Sequence, residues 1–119
     1  MNQYEVPALI ADELPEVAPD LRFISAIGNV NESIAVLTTY TRKMILSHKF
    51  YQANKCMQLA CKIYNKGNNA VRSAVENVFI YSFSFIRMSC NTTEWQLVRA
   101  SIPMPLYSAY IKQVMGPGC

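Results

Sequence analysis

Apolar residues along this chain recur mostly at steps of three and four, the spacing that lines one face of an α-helix. The cleanest case runs from Phe50 to Tyr64. There Phe50, Ala53, Met57, Ala60, Cys61 and Tyr64 share a face, Leu59 and Ile63 widen it, and Lys55, Gln58, Lys62 and Lys66 make the opposite, solvated stripe. Ala53 and Ala60 are small, so a neighbouring helix can approach closely. Gly67 ends this helix and Asn68 or Asn69 caps the next, which predicts an αα-hairpin closed by a short Gly-Asn-Asn turn.

The second arm starts with Ala70, Val71, Ala74, Val75 and Val78 at helical spacing. It then becomes apolar nearly all round through Phe79, Ile80, Tyr81, Phe83, Phe85, Ile86 and Met88, the mark of a buried central helix. Phe79, Tyr81, Phe83 and Phe85 also alternate with Ile80, Ser82 and Ser84, as a half-buried strand would. No breaker separates Ala70 from Met88, and helix is the expectation for residues 79–86.

Before the hairpin, Val6, Leu9, Ile10 and Leu14 mark a first helix from about Gln3, with Pro7 in its first turn. Pro15 and Pro19 bracket a turn. Asp20 is placed to cap a short helix through Leu21, Phe23, Ile24 and Ile27, ended by Gly28 and Asn29. Asn31 is the expected cap of the following helix, with Glu32 near its positive end. Its inward positions are Ile34, Leu37, Thr38, Thr41, Ile45 and His48. The β-branched cluster Val36 to Tyr40 offers a strand instead, but Arg42 to Leu46 continues the helical period. After the hairpin, Asn91 or Thr92 caps a helix to about Ser101, Pro103 and Pro105 stop it, and Leu106 to Met115 forms the last. The fold class expected is all-α: one domain over 1–119, a bundle of about five to six helices around the central hairpin.

Composition agrees with a packed core. Apolar residues are 51% of 119 and charged residues only 16%, below the usual quarter or so, which excludes disorder. The net charge of +3 hides an asymmetry. Glu5, Asp12, Glu13, Glu16, Asp20 and Glu32 all precede Ser33, with Arg22 the lone base among them. The ordinary consequence is an acidic N-terminal segment folded over a basic remainder. Residues 1–14 carry acids where a secretory signal needs bases, and Val78 to Ile86 falls far short of the roughly 20 residues that span a bilayer. A cytoplasmic protein without membrane contact is expected. On that footing Cys56, Cys61, Cys90 and Cys119 are reduced and packed as small hydrophobes, and the sequons at Asn31 and Asn91 are incidental.

Chemistry is sparse. His48 is the only histidine, and nothing fixes a serine or cysteine beside it. Cys56 and Cys61 lie about 140° apart around a helix and cannot converge on one ion. Asp12 and Glu13 are adjacent and point apart, and Glu76, four residues after Arg72, reads as an ordinary surface pair. No catalytic, cofactor or metal residue is assigned. Lys55, Lys62 and Lys66 follow one helix face, near Arg42, Lys43, Lys49 and Arg72, and could track phosphates. A solvated helix face is their commoner use. Trp95, Tyr107 and Tyr110 suit either a binding hot spot or core closure.

The stretch Gly67-Asn-Asn-Ala-Val-Arg-Ser-Ala-Val-Glu-Asn-Val-Phe-Ile, entered from Phe50 to Asn65, resembles a pattern of small all-helical bacterial proteins of unknown function. Some of these are toxin-immunity proteins, and the likeness covers about residues 45–90. Such proteins often carry an acidic pair near the end of the second arm, whereas this chain has Tyr81-Ser-Phe-Ser-Phe there. No functional residue carries over. The function expected is a non-enzymatic protein-interaction module, immunity-like in one form, binding a protein partner or a second copy of itself. Lys55, Lys62, Lys66, Arg72 and Trp95 are its candidate face. The alternatives are nucleic-acid binding by the lysine face, and a small-ligand pocket or enzyme.

Overall fold

The computed structural model of the chain describes residues 1–25 and 30–115. The expected stop at Gly28 and Asn29, Ile27 before it, the Gly-Pro-Gly at 116–118 and Cys119 lie outside them. The described residues are helical throughout their regular structure: α1 (Val6–Glu13), a 3-10 turn (Pro15–Val17), α2 (Ala18–Ser25), α3 (Val30–Leu46), α4 (Phe50–Lys66), α5 (Asn69–Ala74), a π-helical turn (Val75–Ile80), α6 (Phe83–Ser89), α7 (Thr92–Ser101) and α8 (Met104–Met115). The all-α class is as the spacing predicted, and neither strand alternative forms.

Helix α3 is the hub, packing against α1, α2, α4, α5 and the π turn. The molecule measures 40 × 35 × 18 Å, and its short axis fits two helix diameters of about 10 Å. Ile34, Leu37, Met44 and Ile45 are buried on α3. Its β-branched cluster is helical, and Thr38 and Thr41 satisfy their buried hydroxyls on the carbonyls of Ile34 (2.8 Å) and Leu37 (2.7 Å). Asn31, the expected cap, lies inside the first turn of this helix.

His48 departs from its expected inward position. It adopts φ 61°, while its N–H donates to the Ile45 carbonyl and that of Lys49 to the Met44 carbonyl. That hydrogen-bond pair is a Schellman stop with histidine in the place glycine usually takes. The side chain is thereby thrown outward, and its Nε2 lies 2.8 Å from Glu94 Oε2. The same carboxylate group closes a capping box on α7, where Asn91 Oδ1 accepts from the Glu94 N–H and Glu94 Oε1 from the Asn91 N–H. One glutamate thus ties the α3–α4 corner to the start of α7.

At the hairpin, Gly67 ends α4 and Asn68 caps α5, its Oδ1 accepting from the Val71 N–H at 3.1 Å. Gly67 is extended, with φ −75° and ψ 150°. It is required for close approach, not for a left-handed turn.

The second arm corrects the expectation of all-round burial. At about 100° per residue, an unbroken α-helix would point Ile80 directly away from Val71 and keep Tyr81 and Phe85 on the flank of Val71. Instead Ile80 is fully buried, while Tyr81, Phe85 and Met88 are 60%, 49% and 83% exposed. The π turn winds less per residue than an α-helix, so the phase slips across it. Phe79, Ile80, Phe83 and Ile86 come round to the core, and Tyr81, Phe85 and Met88 are carried outward.

Candidate functional site

The π turn also shapes the surface beside it. The Glu76 carbonyl, within that turn, accepts from Gln113 Nε2 of α8 at 2.7 Å. The Glu76 side chain accepts from the Tyr64 hydroxyl at 2.8 Å. Arg72 lays its guanidinium over the Tyr64 ring, 4.4 Å from the centroid. The expected Arg72–Glu76 surface pair does not form as an ion pair, because both side chains are drawn to Tyr64 instead.

These residues line a groove of about 520 Å³ between α4, the arm and α8, completed by Asn65, Asn77, Pro105, Ser108, Ala109, Lys112 and Gln113. Burial pushes the Tyr64 phenol above its ordinary value; Glu76 adds to this and Arg72 opposes it. Among the described residues, carboxylates lie against His48 (Glu94) and Lys62 (Glu13), and neither Arg72 nor Lys112 has a carboxylate partner. Two cations and one carboxylate therefore face the groove. It continues through Glu76, Asn77 and Gln113 into a shallower hollow bordered by Tyr81. From there the Tyr81 ring meets the Phe85 ring edge-on at 5.8 Å, and Met88 follows one turn on.

The face expected from sequence is divided by this arrangement. Lys55, Lys62 and Lys66 are exposed along one stripe of α4, and Lys62 lies 3.9 Å from Glu13 of α1, so the acidic segment does fold against the basic one there. Tyr64 lies on the opposite side of α4, and Arg72 goes with it. Trp95 is half-buried and packs edge-on against Tyr110 at 6.2 Å, within a ring cluster that includes Phe83. Sequence reasoning missed Glu76, Lys112, Gln113, Tyr81 and Phe85 as a group. Residues 76 and 113 meet only in three dimensions, and a π turn has no sequence signature to announce it.

Elsewhere, a second groove of about 620 Å³ between the 3-10 turn, α2 and α3 is lined by Glu16, Val17, Asp20, Val36, Tyr40 and Lys43 among others. Burial, then Glu16, pushes the Tyr40 phenol up. Burial also raises the thiols of Cys56, Cys61 and Cys90, all three of which are free. Among the described residues no group of three or more His, Cys, Asp and Glu is placed to hold a metal, and no helix is long and apolar enough to cross a membrane.

No curated protein and no solved structure matches the chain. A family model described as "Domain of unknown function (DUF7674)" matches residues 7–116, from the first turn of α1 to the end of α8. The chain belongs to that family.

Proposed function

We propose that this chain is a non-enzymatic protein-interaction module, and that its partner surface is the ridge of Tyr81, Phe85 and Met88 at and just before α6 together with the groove beside it. The observation that carries the reading is the exposure of Tyr81, Phe85 and Met88 at i, i+4 and i+7. Taking roughly 200 Å² for each large side chain, their exposures leave about 400 Å² of largely apolar surface on one side of the arm. A stable interface takes about 800 Å² from each partner. The ridge supplies about half of that, and the adjoining groove is where the rest is available.

The remaining chemistry supports a binding role over a catalytic one. Thiols pushed up by burial are poor nucleophiles. The immunity-like role implied by the hairpin resemblance is one form of such a module. Where the resemblance places an acidic pair this chain has Tyr81-Ser-Phe-Ser-Phe, and the neighbouring groove carries Arg72 and Lys112, so its partner would present an acidic patch.

The test uses the full chain and a Tyr81→Ser/Phe85→Ser variant, in sedimentation and in capture from native lysate. The wild type should self-associate or retain a protein that the variant loses, with thermal unfolding of the two alike. A wild-type monomer that retains nothing refutes the proposal.

A further inference from the structure

We propose that the groove between α4, the arm and α8 receives one carboxylate side chain of the partner protein, held between Arg72 and Lys112, while apolar residues beside it lie on Tyr81 and Phe85. This rests on the interaction-module reading and specifies the partner's chemistry. Four features carry it.

The first is charge. Arg72 and Lys112 give the groove two positive charges and Glu76 one negative, so a single negative charge brings it to neutrality. A phosphate dianion would leave a surplus negative charge beside Glu76. The second is shape. The Arg72 guanidinium is held over the Tyr64 ring, its carbon 4.4 Å from the centroid, at a groove also lined by Lys112, and a guanidinium fork matches the two oxygens of a carboxylate.

The third is the rest of the lining. Asn65, Asn77 and Gln113 carry side-chain amides, and Gln113 uses its nitrogen on the Glu76 carbonyl, which keeps its oxygen as an acceptor. Such groups suit the backbone on either side of an acidic residue. The fourth is continuity. The groove shares Glu76, Asn77 and Gln113 with the hollow that reaches Tyr81. An acidic residue with a large apolar neighbour can therefore touch both parts at once.

The probes are a blocked tripeptide of leucine, glutamate and phenylalanine, its glutamine counterpart, and inorganic phosphate, each titrated at low salt into the isotope-labelled full chain. The glutamate peptide should move the side-chain amide signals of Asn65, Asn77 and Gln113 saturably, and about tenfold more tightly than the glutamine peptide. Lys112→Glu, which costs no ion pair among the described residues, should bring the two peptides level, and so should Arg72→Gln with Lys112→Gln. Equal binding of the two peptides to the wild type overturns the inference, as does the absence of any shift. Phosphate moving the same signals at lower concentration than the glutamate peptide also overturns it, in favour of a general oxyanion site.

Lysate capture separates this from the reading it rests on. Capture lost with Tyr81→Ser/Phe85→Ser but untouched by Lys112→Glu sinks the carboxylate and leaves the module standing. Capture untouched by both sinks both.

Discussion

Replacing Gly67 with alanine puts a methyl where the hairpin has no room for one. A Cβ at that position lies 2.5 Å from Val71 Cγ1, 2.8 Å from Val71 Cβ and 2.8 Å from the Ile63 carbonyl oxygen. None of these can give way cheaply. The carbonyl belongs to the last turns of α4, and Val71 is fully buried. The backbone angles are ones alanine adopts readily, so the whole cost is steric. Overpacking of this kind costs about 1–3 kcal/mol, and the stiffer unfolded chain returns about 0.4–1 kcal/mol. The steric term wins, leaving a net loss of about 1–2 kcal/mol, or about 4–8 °C in Tm for a chain of this length. Urea and thermal unfolding followed by far-UV circular dichroism read it. A double-mutant cycle with Val71→Ala sharpens the result, since removing the Val71 methyls relieves part of the clash. The pair should cost less than the sum of the singles by about 0.5–1 kcal/mol. A Gly67→Ala variant as stable as the wild type would falsify the close-approach argument, and a pair costing more than the sum would contradict the part assigned to Val71.

The remaining predictions draw on other parts of the fold. Burial raises the Tyr64 phenol and the Cys56 thiol, so the folded chain keeps protons that the unfolded chain has lost. That contribution is complete below the unfolded values, about 8.5 for thiols and 10 for phenols, and disappears as pH rises through the folded ones. Urea midpoints should therefore fall between about pH 8 and about pH 10.5, and Tyr64→Phe should shrink the drop; a midpoint flat across that range contradicts the assignment. His48→Gly should raise stability by about 1 kcal/mol through relief of the positive φ, less the loss of the exposed contact with Glu94, whereas His48→Ala should lower it. The opposite order in thermal melts would remove the Schellman reading. Iodoacetamide followed by mass spectrometry should leave Cys56, at 0% exposure, unlabelled until urea is added, and rapid native labelling there would show that α3 and α4 open easily. Deleting Asn77 should turn the π turn into regular α-helix with almost no change of phase downstream, because one α-helical residue accounts for about 100°. The variant should fold but lose partner capture; capture at the wild-type level would mean that the groove is not part of the interface.

The helices and the hairpin turn were legible because their causes are local. The stripe on α4, the stop at Gly67 and the caps, expected at Asn68 or Asn69 and at Asn91 or Thr92 and found at Asn68 and Asn91, each depend on residues close together in the chain. The corner at His48 was not legible. Its left-handed position normally advertises itself as glycine, and a histidine at the next helical step from Ile45 reads as more of the same face. The candidate site was legible in one residue only. Arg72 was on the expected face for its charge, yet its placement follows from Tyr64, which the spacing read as core, and from Lys112 and Gln113 on a helix forty residues away. Lys55, Lys62 and Lys66 formed the stripe that their spacing implied, with Arg72 and Trp95 turned to other neighbours.

Hydrophobicity alone does not choose the phase of the second arm. An unbroken α-helix would have buried Val78 and parts of Tyr81 and Phe85, a gain of the same order as the burial of Ile80, Phe83 and Ile86 that replaces it, about 1.5–3 kcal/mol for each large side chain. The choice rests on fit. In the phase adopted, Phe83 meets Phe79 and Tyr110 edge-on, both at 5.5 Å, and Tyr110 meets Trp95 in turn, so one row of rings joins α6, α7 and α8. Each such pair adds about 0.5–1.5 kcal/mol beyond its area, enough to offset the looser hydrogen bonding of the π turn, where a carbonyl is in any case taken up by Gln113. An arm apolar on every side has more greasy surface than a two-layer fold can cover. The slip of phase decides which part of the surplus stays outside, and the part it leaves is a tyrosine, a phenylalanine and a methionine in a row beside two cations that have no carboxylate partner among the described residues.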